Sequence, residues 1–415
     1  MKSLLINMWI CAVAPIAASA VMAWAPAASE PETDLRAAFD EIHTTVQEQF
    51  LDPAMAGVDW PALGAEYRQR IDSETTIDEF GIIVNQMLDA LGTSHTHLYT
   101  VSDPAYFQLL SIFRAPLDEE IRRAHPDNVA LRYPGIGIFT RQIEDQVFVS
   151  GVLDGFPAAK AGVRVGDRII DVDGKPFHPI RSFEGRLDQE VQLCVQRTRA
   201  SSEPLAIAVT PIMLDPAPLL LSAATESVRV VDRPPHRIGY IHLWSFAGEA
   251  YFALLKDELT HGRLRDADAV VVDLRDGWGG ANPEYLNLFN RQIPSITYRT
   301  RDGEVRVMDS QWRKPVALLV NEGTRSGKEI FAYAFQKHGI GPVVGVCTAG
   351  AVVAGRPFLI RPGLLLYLAV MDAQVDGERL EGRGVQPDVT VPFDIRYANG
   401  ADPQLDAAIE RLLSD

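Results

Sequence analysis

The sequence predicts a multidomain α/β protein: behind a leader come an N-terminal helical segment, a small β domain and a larger α/β domain. Three observations predict it. Apolar residues from Glu30 to about Tyr99 recur at three- and four-residue spacing, residues 133 to 175 alternate short strands with glycine turns, and beyond about Leu219 strand-like runs alternate with amphipathic helices. With 415 residues, 47% of them hydrophobic and 23% charged, the chain can bury two or three such cores.

The leader comes first. Met1-Lys2-Ser3 precedes an almost uncharged run from Leu4 to about Trp24, which ends in small residues at Ala18-Ser19-Ala20 and Ala25-Pro26-Ala27-Ala28. Residues 1–28 therefore read as a signal peptide and the protein as periplasmic or secreted. An uncleaved leader would instead anchor the domains outside a membrane, and only in that reading does a membrane enter. The balance of 39 basic against 55 acidic residues, a net charge of −16, argues against nucleic acid as a partner. Cys11, Cys194 and Cys347 stand apart, so no CxxC pair exists and neither metal nor organic cofactor is implied.

Residues 29–125 form the helical part. Leu35, Phe39, Ile42, Val46 and Phe50 keep one helical stripe, and Phe80, Ile82, Ile83, Met87, Leu88 and Leu91 keep another. The part closes on Ser94-His95-Thr96-His97-Leu98-Tyr99, and the proline-bearing stretch from Asp103 to Pro134 reads as a linker with some helix.

Residues 126–212 form the small β domain. Gly135-Ile136-Gly137-Ile138 leads to a strand at Gln146–Val152, then to Phe156-Pro157-Ala158-Ala159-Lys160-Ala161-Gly162 and to Val165–Lys175, where Asp173-Gly174 signals a hairpin turn. These motifs resemble a PDZ domain in the permuted form that bacterial proteases carry. The resemblance implies that Gly135, Ile136, Gly137 and Ile138 hold a peptide's C-terminal carboxylate on backbone amides while the peptide adds as a strand.

Residues 213–415 form the α/β domain. A strand at Arg237–Leu243 is followed by a helix through Phe252, Leu255 and Leu259, and then by the buried strand Ala269–Leu274. That strand ends in Arg275-Asp276-Gly277-Trp278-Gly279-Gly280, with Asn282-Pro283 as a helix start. Amides of Gly279 or Gly280 there suit either an oxyanion or a plain turn. A third strand, Val316–Val320, feeds Asn321–Ile330, a turn with Ser326 at the start of a helix. Taken alone Ser326 reads first as a cap, with Glu329 completing a capping box, and otherwise as a nucleophile lifted to the end of the sheet. Strands at Gly341–Val346 and Leu364–Val370 and a helix from Gln404 to Leu413 complete the pattern.

Taken in order, the leader, helical part, PDZ-like unit, Asp273–Gly280, Asn321–Ile330 and Glu381–Asp388 resemble the tail-specific, or C-terminal processing, serine proteases. The resemblance implies a crotonase-like α/β protease domain, Ser326 as nucleophile, and protein or peptide substrates with free C-terminal tails. One departure matters. The processing branch carries a lysine 25 residues after the serine, and here that position is Ala351. The chain resembles instead the tricorn-like branch without that lysine, which implies His95 as base, supported by Glu381 and by Ser94. The Gly327 amide and one from Gly279 or Gly280 would hold the oxyanion. Lys328 and His97 are the competing bases. An inactive peptide-binding protein of the same fold and an apolar-ligand carrier are the competing functions, and oligomeric state is open.

Overall fold

The computed structural model describes residues 34–124, 131–200 and 203–414. The expected leader, residues 1–28, lies outside them.

The first helix, Leu35–Gln49, is capped by the Asp34 carboxylate, which accepts the Arg36 and Ala37 amides at 3.1 Å, and it buries Ala38, Phe39, Ile42 and Val46. A capping box of Thr76 and Glu79 starts the helix Ile77–Leu88, whose inward face is Phe80, Ile83, Val84, Met87 and Leu88. Ile82, counted in the sequence stripe, is 57% exposed. Neighbouring helical positions point about 100° apart, so Ile82 and Ile83 cannot share a face.

Both helices pack on a hairpin from the other end of the chain, Ala354–Arg361 with Leu364–Met371. A short strand, His97–Thr100, pairs antiparallel with its second strand, setting Leu98 opposite Leu366. Leu364, Leu366 and Leu368 thus join Phe39, Ile42, Phe80 and Met87 in one core. The stretch Asp103–Pro134, expected as a linker with some helix, contains the helices Pro104–Ile112 and Arg114–Ala124.

The PDZ unit is a five-stranded antiparallel sheet in sequence order, from Ile138–Ile143 to Leu205–Val209. Tyr133–Gly135 pairs separately with Ile212–Leu214. Asp173 and Gly174 both take left-handed φ values, 51° and 73°, between Val172 and Lys175, as a tight primed turn requires.

The α/β unit holds a six-stranded sheet in the order Val389–Thr390, Val343–Gly345, Val316–Val320, Ala269–Asp273, His236–His242 and Arg229–Arg233. All neighbours are parallel except the last pair, and the two central strands are buried along their whole length, which explains their unbroken apolar sequence. At the sheet's carboxyl end Arg275 bonds both Asp273, at 2.6 Å, and Asp402, at 2.7 Å, tying the cap of the final helix Pro403–Leu413 to the central strand.

The PDZ unit docks on this sheet end. Tyr397 and Gly400 donate backbone hydrogen bonds to Gly166 and Val165 at 2.9 and 3.1 Å, and Phe139 stacks on Trp244 with ring centroids 5.3 Å apart. Arg141, on the PDZ edge strand, pairs with Glu322 and with Asp276.

Replacing Leu366, fully buried between the N-terminal helices and the hairpin, with alanine should cost about 2–5 kcal/mol through a lost side chain and an unfilled cavity. A lower denaturant midpoint with an unchanged slope would report that loss; an unchanged midpoint would mean that the two ends of the chain do not share a core.

Candidate active site

The strand Val316–Val320 delivers the chain to a turn knitted to its neighbour. Asn321 accepts the Asp276 and Gly323 amides on its side-chain oxygen at 3.1 and 3.0 Å, and the Thr324 hydroxyl donates to the Leu274 carbonyl at 3.1 Å. The chain leaves this turn through Ser326, at φ 58° and ψ −130°, a conformation that a residue with a Cβ adopts only under constraint. The constraint is visible: the Ser326 N–H donates to the Ala351 carbonyl at 2.8 Å and to the Glu329 carboxylate at 3.0 Å.

Glu329 does more than reach back as a capping residue. Its buried carboxylate also accepts the Thr348 hydroxyl at 2.5 Å and the Gly350 and Ala351 amides at 2.7 and 2.8 Å. Burial pushes its pKa up, and these four donors pull against that push. The sequence pattern gives Glu329 the cap alone. A glutamate at the third helical position was the available signal, but its bonds to residues 348–351 are tertiary.

Opposite Ser326 runs the glycine loop. A side chain at Gly279 would begin 2.6 Å from the Ser326 Cβ, and one at Gly327 would begin 2.5 Å from the Ala281 nitrogen and 2.8 Å from that of Gly280. Only glycine permits this approach. Among the described residues, the N–H groups of Gly279, Gly280 and Gly327 donate no hydrogen bond, so unused amide donors surround the serine. Beneath the loop lies Lys328, fully buried, with Nζ donating to the Asp276 carbonyl at 2.8 Å. Desolvation lowers its pKa to about 7 despite the opposing charges of Asp273 and Asp276.

The N-terminal part supplies the third wall. Glu381 accepts the Ser94 amide and the Ser94 hydroxyl, each at 3.0 Å, together with the Val352 and Val353 amides at 2.7 and 3.1 Å. The Ser94 hydroxyl also lies 2.9 Å from Nδ1 of His95. Since that hydroxyl gives its proton to Glu381, it accepts one from Nδ1, which leaves Nε2 unprotonated. His95 itself sits at φ 55°, with the Tyr367 ring tilted against it at 5.2 Å. Desolvation lowers the His95 pKa to about 4, against the pull of Glu381 and with a further push from the Arg325 charge. Burial would raise the Glu381 pKa, but the hydrogen bonds from Val352, Ser94 and Val353 outweigh it and hold the pKa low.

Ser94, His95, Gly279, Gly280, Ser326 and Gly327 thus line one cavity of about 820 Å³, although His95 and Ser326 share no hydrogen bond among the described residues. Glu381 stands behind Ser94. His97 lines the same cavity, its Nε2 3.2 Å from the Asn85 amide nitrogen. The remaining sequence-predicted residues are elsewhere: Gly135, Ile136, Gly137 and Ile138 line a separate cleft of only about 20 Å³. The Ile138–Ile143 strand beside that cleft is the edge of its sheet, as strand addition requires.

Three stretches of the chain match known protein families. Residues 237–391 match peptidase family S41, residues 31–89 the tricorn protease C1 domain and residues 148–197 a PDZ domain. The chain is 29% identical over 412 residues to putative tricorn protease homolog 2 of Streptomyces coelicolor, covering 92% of this chain and 32% of that protein. It is 24% identical over 288 residues to the carboxy-terminal processing protease CtpA of Bacillus subtilis, covering 66% of this chain and 59% of that one. Among solved structures, the tricorn protease superposes with a TM-score of 0.53 at 19% identity over 92% of this chain and 37% of its own, and mature CPAF with 0.52 at 12% over 92% and 98%. Those two likenesses show the fold. The chain spans about a third of the length of the tricorn relatives it matches.

The buried lysine gives a test of the loop's support. Between pH 7 and its ordinary value of 10.5, Lys328 is protonated in the unfolded chain and neutral in the folded one, so its contribution makes stability rise with pH. Lys328→Met should flatten that rise by about 1.4 kcal/mol per pH unit in denaturant titrations run across the window. An identical slope in the variant would show that the amine keeps its ordinary basicity.

Proposed function

We propose that this chain, whose residues 237–391 match peptidase family S41 and residues 148–197 a PDZ domain, is an exported serine endopeptidase that cleaves proteins recruited by their C-terminal tails through its PDZ unit. The observation that carries the reading is the hydrogen-bonded line from Glu381 through Ser94 to His95, running into the cavity that holds Ser326 and the unused glycine amides.

In this reading Nε2 of His95 takes the Ser326 hydroxyl proton as the oxygen attacks the substrate carbonyl. The negative charge that develops on the carbonyl oxygen is met by the Gly327 amide and by one from Gly279 or Gly280. His95 then returns the proton to the leaving amine as the C–N bond breaks, and water releases the acyl group by the same path in reverse. Glu381, kept ionised by its donors, acts through the Ser94 hydroxyl: it fixes the His95 tautomer and favours the imidazolium formed during each step. Because burial keeps His95 neutral near pH 7, the base is ready without prior deprotonation. Ala351 stands where the resemblance to the processing branch implies a lysine, and it offers the serine a backbone carbonyl and no amine. The leader is the reason for reading the protein as exported, either free in the periplasm or outside, or anchored by an uncleaved leader.

Ser326→Ala and His95→Ala should each lower kcat on a tailed substrate by on the order of a thousandfold or more, with the fold intact by circular dichroism. Full turnover in Ser326→Ala would end the proposal, and failure of the native protein to label at Ser326 with a fluorophosphonate would favour an inactive peptide-binding protein. Separately, kcat/KM should hold steady from neutral pH downward and fall only as His95 gains its proton, near pH 4. An acid limb centred above the ordinary histidine value of 6.5 would assign the base to another group.

A further inference from the structure

The cavity that holds Ser326 contains one charge without a counterpart. Of the Asp, Glu, Lys and Arg residues described, Arg325 alone lines it. The guanidinium stands 5.7 Å from the centroid of the Trp278 ring and makes one long contact, Nε to the Gly323 carbonyl at 3.5 Å. Among the described residues no carboxylate pairs with it, although the chain carries 55 acidic residues against 39 basic ones. Its surroundings are otherwise poor in charge: Leu109, Ile112, Phe113, Ile330 and Val352 line the same space. The electrostatic reach of Arg325 extends to His95, His97, Tyr99 and Tyr367, all of them walls of this cavity, and to Lys328 behind it.

A half-buried guanidinium with five donors and almost no acceptors is poorly satisfied alone, and its planar fork matches a carboxylate. Arg325 is also the residue immediately before Ser326. Since an extended peptide advances only about 3.4 Å per residue, a group at that place addresses the residues that flank the bond presented to the serine. We propose, on the peptidase reading above, that Arg325 binds a substrate carboxylate next to the scissile bond, making this site selective for peptides acidic there. The carboxylate comes from an Asp or Glu side chain or from a nearby free chain terminus; the chemistry recognised is the same. Binding it has a second effect. The carboxylate offsets the positive charge that opposes protonation of His95, and so favours the imidazolium that forms as Ser326 attacks.

The test uses the full chain and three matched peptide series: Glu against Gln at each residue flanking the cleaved bond, Lys at the same places, and a free against an amidated terminus close behind it. Native protein should cleave the carboxylate-bearing member of a pair about tenfold faster or more in kcat/KM. Arg325→Gln should bring that ratio close to one, Arg325→Lys should restore part of it, and Arg325→Glu should turn the preference toward Lys peptides. A ratio that follows only the free terminus supports the proposal and identifies the terminus as the source. The proposal is overturned if native protein cleaves all members equally, or if Arg325→Gln keeps the native preference while melting like the native chain. A native protein that cleaves nothing and leaves Ser326 unlabelled by a fluorophosphonate removes the peptidase reading itself, and this proposal with it.

Discussion

Much of the structure depends on one carboxylate. Glu381 accepts four donors, two from Ser94 and one each from Val352 and Val353, and thereby joins residues 287 positions apart in sequence. A half-buried carboxylate with no donors would be driven to protonate, whereas this one is kept ionised by the groups it organises. Organisation and charge therefore depend on each other. Without Ser94 the carboxylate would lose two of its donors; without the carboxylate the Ser94 hydroxyl would be free to turn, and the His95 tautomer would no longer be fixed. The hairpin core of Leu364, Leu366 and Leu368 is what brings the two partners within reach, through the pairing of His97–Thr100 with Leu364–Met371.

A second constraint acts on the serine. Ser326 is wound to a positive φ because three segments meet around it: the turn after Val316–Val320, the loop Gly277–Ala281 and the stretch Thr348–Ala351. Each contact has a definite chemical cause. Glycine at 279, 280 and 327 removes the side chains that would collide, Ala351 offers a carbonyl to the Ser326 N–H, and Glu329 draws residues 348–351 against the helix start. Strain at Ser326 persists because these contacts over-determine it. They also leave the amides of Gly279, Gly280 and Gly327 without internal partners, the condition in which backbone donors best meet a developing negative charge.

The fold's elements were legible where period alone decides them. Val316–Val320 and Ala269–Asp273 appear as unbroken apolar runs because both of their faces are covered, and the helices around Phe39 and Phe80 appear as stripes. Pairings across the chain were not legible. His97–Thr100 is four residues long and alternates half-buried with buried, too brief a pattern to separate from the helical part before it. Its identity as a strand comes from a partner some 270 positions later, which no local period encodes. That Ser326, the glycines and His95 would line one cavity was suggested by the order of motifs along the chain. The support of Ser326 by Glu329, the burial of Lys328 and the unpaired state of Arg325 were not, since each depends on which groups the fold sets around a charged side chain.

In the proposed peptidase, the groups around each charged side chain also decide between the candidate bases. Lys328 has a pKa lowered to about 7, a value suited to proton transfer, and it lies two residues from the serine. Proximity in sequence and a tuned pKa are not enough. Its amine donates to the Asp276 carbonyl at 2.8 Å, and Lys328 does not line the cavity that holds Ser326. A side chain two positions along a helix points away from its neighbour, so moving the amine to Ser326 would unpack the helix start and release the loop. Ala351 touches the serine but has no titratable group. The proposal rests on His95 because it opens on the same cavity as Ser326 and its Nδ1 faces a hydroxyl that Glu381 holds in place. Lys328 then belongs to the support of the glycine loop, where its buried amine, donating to the Asp276 carbonyl, helps to hold the strand end from which that loop leaves.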